Sequence, residues 1–291
     1  MRLSEPVYWI KERITPVDLT DSDSMNRMIS EAIIKGKPFL AGKIGASELF
    51  AMRTVEFGYT WKRRRAFEQL RDWSGFFPLE QDREERFVLC MKEAINNADL
   101  LIHWNRRHQR YFVEKYGSND LTCSSWFGCS FGEGKWGSAL NGRKVLVVHP
   151  FEESIRKQHE VFEKVHKGST CVPHFELQTI KALQTLGGVH DEGINSWEEG
   201  LKHMADEAEK KEFDVALVGC GAYGLPLASH IKKMGKTAVH LGGELQLMFG
   251  IMGNRWETNR GVLERKNEYW IRPDSSERPL EADKVENACY W

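Results

Sequence analysis

Several short stretches of the chain place glycine, basic, acidic or imidazole residues just where apolar runs end. Gly219, Gly221 and Gly224 fit G-x-G-x-x-G within "VALVGCGAYGLPLASHI", after an apolar run and before a helical one. Glycine permits a sharp turn, its missing side chain lets a ligand approach the backbone, and the next helix offers free N–H groups to phosphate. Tyr223 lies inside this turn, where its ring can stack on a base or cover the core. Lys43, Gly45 and Glu48 follow an earlier run in "AGKIGASEL". A carboxylate at Glu48 can hold a divalent cation (Mg or Mn) that bridges a diphosphate, or take a proton from an attacking hydroxyl. The plainer reading of Glu48 is a solvated first-turn glutamate favoured by the helix dipole. His149 closes "KVLVVHPF", and Ser154 follows in the first turn of the next helix. His149 can bond a phosphate or sugar hydroxyl or be structural, and Ser154 can meet a diphosphate or cap its own helix. His240, Gly242 and Gly243 close "TAVHLGG" in a further glycine turn.

These positions act together only if a parallel sheet brings strand ends to one edge, where open α/β sheets bind their ligands. The sequence predicts such a sheet. "PFLAGK" is a strand after the helix "SMNRMISEAIIKGK", and a helix starts near Ala46 with Ser47 as its cap. "RKVLVVHPF" reads as a buried parallel strand, "EESIRKQHEVFEKVH" as an amphipathic helix and "STCVPHFE" as a short strand or extended piece. "LQTIKALQTLGG" and "WEEGLKHMADEAEKKE" read as helices, "FDVALVGCG" as a strand, "LPLASHIKKMG" as a helix, "KTAVHLGG" as a strand and "ELQLMFGIMG" as a helix. Strands alternating with helices give an α/β fold, a Rossmann-like, mostly parallel sheet flanked by helices. Residues 59–142 read as a mainly helical insertion with a Gly- and Trp-rich loop, 143–256 as the Rossmann-like nucleotide-binding half and 257–291 as a tail.

The 291 residues are ample for one domain with a buried core, and a net charge of -1 gives no global attraction for nucleic acid. No run of about 18 apolar residues is present, and the N-terminus has no apolar leader. The six cysteines form no C-x-x-C pair, which argues against structural zinc and for reduced thiols in a cytoplasmic protein. The basic run Lys62, Arg63, Arg64 and Arg65 reads as a solvated face or as the contact for an anionic acceptor at a membrane surface. Trp104, His108 and Arg110 are candidates for an acceptor cleft.

A dinucleotide site would need an acidic residue ending the second strand of the glycine-turn unit, but Gly242 and Gly243 stand there and Glu244 falls beyond. The glycines can also serve close packing alone. The combination of "KIGASE" with "VALVGCGAYGLPLASHIKKMGKTAVHLGG" resembles the GT-D-fold glycosyltransferases. In that resemblance Lys43 takes the place of an arginine, Gly45 matches a glycine and Glu48 matches the last glutamate of an Asp-x-Glu pair whose aspartate is replaced by Ala46. It implies transfer of a sugar from a nucleotide-diphosphate sugar to a hydroxyl of a surface glycan or lipid-linked glycan, at the inner face of the membrane. Glu48 is then the catalytic residue and a metal ligand. One carboxylate makes a poor cation site by itself, because hard cations take several oxygens. The alternatives are an NAD- or S-adenosylmethionine-dependent Rossmann enzyme and a non-catalytic nucleotide-sugar-binding protein.

Overall fold

The computed structural model describes residues 17–104, 108–125, 128, 131–188 and 193–291. Its centre is a seven-stranded sheet in the order β3-β2-β1-β7-β6-β4-β5. The strands are β1 (Phe39–Lys43), β2 (Leu100–Ile102), β3 (Thr122–Ser124), β4 (Lys144–His149), β5 (Glu176–Lys181), β6 (Val215–Val218) and β7 (Thr237–His240). Every neighbouring pair is parallel. The helices of eight residues or more are α1 (Ser22–Lys35), α2 (Ala46–Glu56), α3 (Thr60–Ser74), α4 (Gln81–Asn97), α5 (Gln109–Tyr116), α6 (Glu152–His159), α7 (Trp197–Glu209) and α8 (Gly224–Lys233).

Successive strand residues point to opposite faces, so two cores form. Leu40, Leu101, Leu146, Val148, Ala216 and Val218 pack with Phe67, Phe87, Trp197 and Leu225. The alternate residues Ala41, Leu100, Val145, Val147, Leu217 and Val239 pack with Ile29, Trp136, Ile155, Phe249 and Trp291. Burial on both faces is why the strands read as continuous apolar runs instead of alternating ones.

The register fixes the functional edge. Val148 pairs with Val218, Val218 with His240, and Ala41 with Val239. The carboxyl ends of β1, β4, β6 and β7 therefore lie side by side. The chain also reverses direction here, because β5 and β6 flank β4 on opposite sides.

The structure departs from the sequence expectations in four places. Residues 59–142 are largely helical, but they also add β2 and β3 to the sheet. "LQTIK" is the edge strand β5 and not the start of a helix, since it pairs with β4 from Lys144↔Glu176 to His149↔Lys181. The preceding "STCVPHF" is irregular. Ser47 does not cap α2: the cap is Gly45, with no side-chain cap bond. Residues 1–16, part of the Gly- and Trp-rich loop and Cys129 lie outside the described residues. Cys90, Cys123, Cys171, Cys220 and Cys289 are free thiols. No helix among the described residues is long and apolar enough to cross a membrane.

Candidate active site

A cavity of about 530 Å³ opens at the carboxyl edge of the sheet. Lys43, Gly45 and Glu48 line it from β1 and α2, His149 from β4, Gly219 and Gly221 from the turn after β6, and His240, Gly242 and Gly243 from β7. Stretches almost two hundred residues apart in sequence thus share one site.

Glu48 stands in the first turn of α2 and is buried at 6% exposure, so the solvated first-turn reading fails. Its carboxyl folds back under Gly45. A Cβ on residue 45 would fall 1.9 Å from Glu48 Oε2, so only glycine leaves room for this arrangement. Ser47 Oγ donates to Glu48 Oε2 at 2.9 Å, and Ser47 Oγ lies 2.7 Å from Ser74 Oγ at the end of α3. Because the Ser47 proton is already committed to Glu48, Ser74 is the donor of that second bond. Burial raises the Glu48 pKa; the two serines and the charge of Lys43 oppose that rise only in part.

Lys43 extends along Gly242, where an added Cβ would lie 2.5 Å from its Cε, and its Nζ stands 5.1 Å from the Trp104 ring centroid. Among the described residues this ammonium has no ion pair or hydrogen bond. Burial lowers its pKa, and the nearby Glu244 and Glu48 charges work against that shift. The ammonium thus lines the cavity with an aromatic ring and two acidic groups near it and no hydrogen-bonded partner among the described residues.

The two imidazoles are fixed as neutral but opposite tautomers. His149 Nδ1 accepts the Phe151 N–H at 3.0 Å, so the proton is on Nε2. His240 Nδ1 lies 3.1 Å from the Val218 carbonyl oxygen and must donate to it, which leaves Nε2 bare. Burial pushes both pKa values down to about 3. At neutral pH the cavity therefore has one fixed imidazole donor and one fixed acceptor.

The G-x-G-x-x-G glycines make room mainly for the protein itself. A Cβ on Gly219 would meet the Gly242 carbonyl oxygen at 2.6 Å and His149 Cδ2 at 2.8 Å. Gly221 has φ +56 and approaches the Ser74 carbonyl, and Gly224 lies under the His240 ring, 2.1 Å from Cε1 for an added Cβ. Gly243 similarly clears the Tyr290 ring.

Two candidate residues are not in the cavity wall. Tyr223 is 1% exposed, stacks on Trp197 with ring centroids 5.7 Å apart, and its hydroxyl lies 3.0 Å from Thr185 Oγ1. The 3-10 turn Gly221–Tyr223 directs the ring into the core, so it cannot stack on a base in the cavity. Ser154 is fully buried, and its hydroxyl donates to the Glu277 carboxylate. The amino end of α6, expected to meet a diphosphate, thus already holds an anion from the protein's own tail.

The cavity also contains Glu244, which the sequence places just beyond the strand end, and Trp73, Ser74, Arg255, Tyr290 and Trp291, which sequence reasoning does not bring to the site. Burial raises the Glu244 pKa. Arg255 Nη1 donates to the Tyr290 hydroxyl at 2.9 Å, and burial pushes Tyr290 up to about 12. Glu244 had a local signal, an acid just beyond a strand-end glycine pair, whereas the others are assembled by tertiary contacts alone. Trp104 lines the cavity, but His108 is fully buried and Arg110 pairs with Glu114. In the basic run Arg63 pairs with Glu84 and Glu85, and Arg64 with Glu68. A protein-built divalent-cation site does not fit these residues: no group of three His, Cys, Asp or Glu side chains converges among the described residues, and Ala46 leaves Glu48 without a paired acid.

No known family model matches the chain, and no curated protein matches it in sequence. Two solved structures are similar to it. One, described as a selenomethionine-substituted domain of unknown function 1792, is 11% identical with a TM-score of 0.38, covering 86% of this chain and 96% of that one. The other, described as a highly conserved domain of unknown function 1792 with a distinct glycosyltransferase fold, is 14% identical with a TM-score of 0.37, covering 87% and 95%.

Proposed function

We propose that the chain is a glycosyltransferase: the cavity binds a nucleotide-diphosphate sugar, and its sugar passes to a hydroxyl of a glycan acceptor. The observation that carries this reading is an unpaired ammonium, Lys43, in the same cavity as a buried carboxyl of raised pKa, Glu48. A diphosphate matches the ammonium and the His149 Nε2–H. A carboxyl of raised pKa is a stronger base once ionised, suited to taking a hydroxyl proton.

In this reaction the acceptor proton passes to Glu48 and the acceptor oxygen attacks the anomeric carbon. The bond from that carbon to the diphosphate oxygen breaks, and its electron pair leaves on the diphosphate. Lys43 and the His149 Nε2–H stabilise the charge that gathers there, an effect worth about 2.7–4 kcal/mol per well-placed donor in other enzymes. The bare His240 Nε2 accepts a hydroxyl of donor or acceptor. A lipid-linked acceptor at a membrane surface would meet the outer end of α3, where Trp61 is 76% exposed.

Incubating the purified protein with a panel of UDP- and GDP-sugars, and measuring donor binding and turnover, tests the proposal. Glu48→Gln should keep donor affinity and lower turnover by about 10²–10⁴-fold. Full activity in Glu48→Gln removes its role. Donor binding without turnover in the unaltered chain favours a non-catalytic nucleotide-sugar-binding protein, and a melting-point rise with NAD or S-adenosylmethionine alone favours the Rossmann-enzyme alternative.

A further inference from the structure

The C-terminal segment forms one wall of the cavity through Val285, Glu286, Tyr290 and Trp291. Asn254, Arg255, Gln246 and Arg272 bond this segment on one side, and Glu277 connects it to α6 on the other. Glu277 is 4% exposed although it lies in a surface tail. Its carboxylate accepts the Glu153 N–H at 2.7 Å, the Ser154 N–H at 3.3 Å and the Ser154 hydroxyl. Its backbone oxygen accepts from Gln184 Nε2 at 3.1 Å and from Trp291 Nε1 at 3.3 Å. Ser154 Oγ in turn accepts the Asp274 N–H at 2.9 Å.

This one residue therefore joins the amino end of α6, the loop after β5 and the wall of the cavity. The helix end supplies orphan N–H groups and partial positive charge, and a carboxylate satisfies both. The contact continues to the chemistry: Trp291 packs edge-on against Phe151 at 5.7 Å, and Phe151 packs against His149 at 4.9 Å while its N–H sets the His149 tautomer.

We infer that Glu277 is a positioning residue, a carboxylate latch that seats the C-terminal wall of the cavity on the amino end of α6. The inference rests on the glycosyltransferase reading only where it makes that wall part of a donor site. Without the carboxylate the segment 285–291 loses its link to α6 and is held by the bonds from Asn254, Arg255, Gln246 and Arg272, while the helix end retains an empty anion position that a small carboxylate from solution can fill.

Hydrogen exchange of segment 285–291 in the full chain tests the latch without any donor. Glu277→Ala should speed exchange there by about tenfold, and about 0.1 M formate should slow it again while leaving the unaltered chain unchanged. Glu277→Gln, which keeps the shape and loses the charge, should lie between the two and gives the reading if the alanine variant does not fold. Lys157→Ala breaks the exposed Lys157–Asp274 pair and should leave the segment as it was. Unchanged exchange in Glu277→Ala, uniform loosening of the whole chain with no response to formate, or equal loosening by Lys157→Ala overturns the latch. UDP binding by calorimetry reports on the site: affinity lost in Glu277→Ala and restored by formate supports the positioning role. If UDP fails to bind the unaltered chain, a UDP-sugar donor is ruled out, and the exchange result still decides the latch.

Discussion

The turn after β1 and the turn after β6 are both glycine bends from strand to helix at one sheet edge, yet their glycines do different work. Gly45 clears space for the carboxyl of Glu48, the group proposed as the base. Gly219, Gly221 and Gly224 clear space for His149 and the Gly242 carbonyl, for the Ser74 backbone and for His240. The conspicuous fingerprint is therefore a packing device that lets neighbouring elements bring their side chains to the cavity, and the unobtrusive "KIGASE" carries the buried carboxyl on which the proposed reaction depends. A glycine motif tells where the backbone must come close; only the neighbour in the gap tells what it comes close to.

The comparison breaks most visibly in activity. Gly45 has φ -66, which alanine tolerates, so Gly45→Ala should displace the Glu48 carboxyl with little loss of stability. Turnover should then fall by about 10²–10⁴-fold, matching Glu48→Gln. Full turnover in Gly45→Ala would show that Gly45, like the glycines after β6, serves packing alone. Gly221→Ala should do the reverse. It combines left-handed backbone with a 2.6 Å approach to the Ser74 carbonyl, and should cost about 2–4 kcal/mol in urea unfolding.

Acid should also separate the two turns. His149 and His240 have folded pKa values of about 3, well below the ordinary value of 6.5, so the unfolded chain binds protons first. Their contribution to stability is intact above that ordinary value and is lost as pH falls from it towards the folded values. At pH 5 the loss is about 2 kcal/mol for each imidazole, measurable as a fall in the urea midpoint. Glu48 has the opposite sign, because its raised pKa costs stability as pH rises through the carboxylate range. A midpoint that holds between pH 7 and 5 would contradict the burial of the two histidines. The smallest effect is expected of Tyr223→Phe, which removes the hydroxyl contact to Thr185: about 0.5–1.5 kcal/mol in stability and no change in donor affinity.

The sequence made the C-terminal strands legible because β4, β6 and β7 are buried on both faces and read as unbroken apolar runs. β2 and β3 have three residues each, too few to show a period. β5 was obscured by Leu177, Ile180 and Leu183, whose spacing of three imitates a helix, and only its pairing with β4 decides otherwise. At the site, the residues alone leave Glu48 open between a solvated first-turn acid and a functional one, because its burial depends on Gly45 and on serines of which Ser74 comes from another helix. For Tyr223 the sequence leaves base stacking and core covering open, and the 3-10 turn decides for the core. Ser154 was read without its partner because Glu277 lies 123 residues further on.

The place of β7 has a consequence for how the molecule is made. This strand is the last in sequence, yet it lies between β1 and β6 and is the sole bridge between β1–β2–β3 and β6–β4–β5. As the polypeptide emerges from the ribosome, each half-sheet waits with an open inner edge until residues 237–240 arrive, and open edges of this kind invite pairing with other chains. Slow growth at that stage, or a substitution that weakens β7, should therefore appear as aggregation of the nascent chain before it appears as lost chemistry.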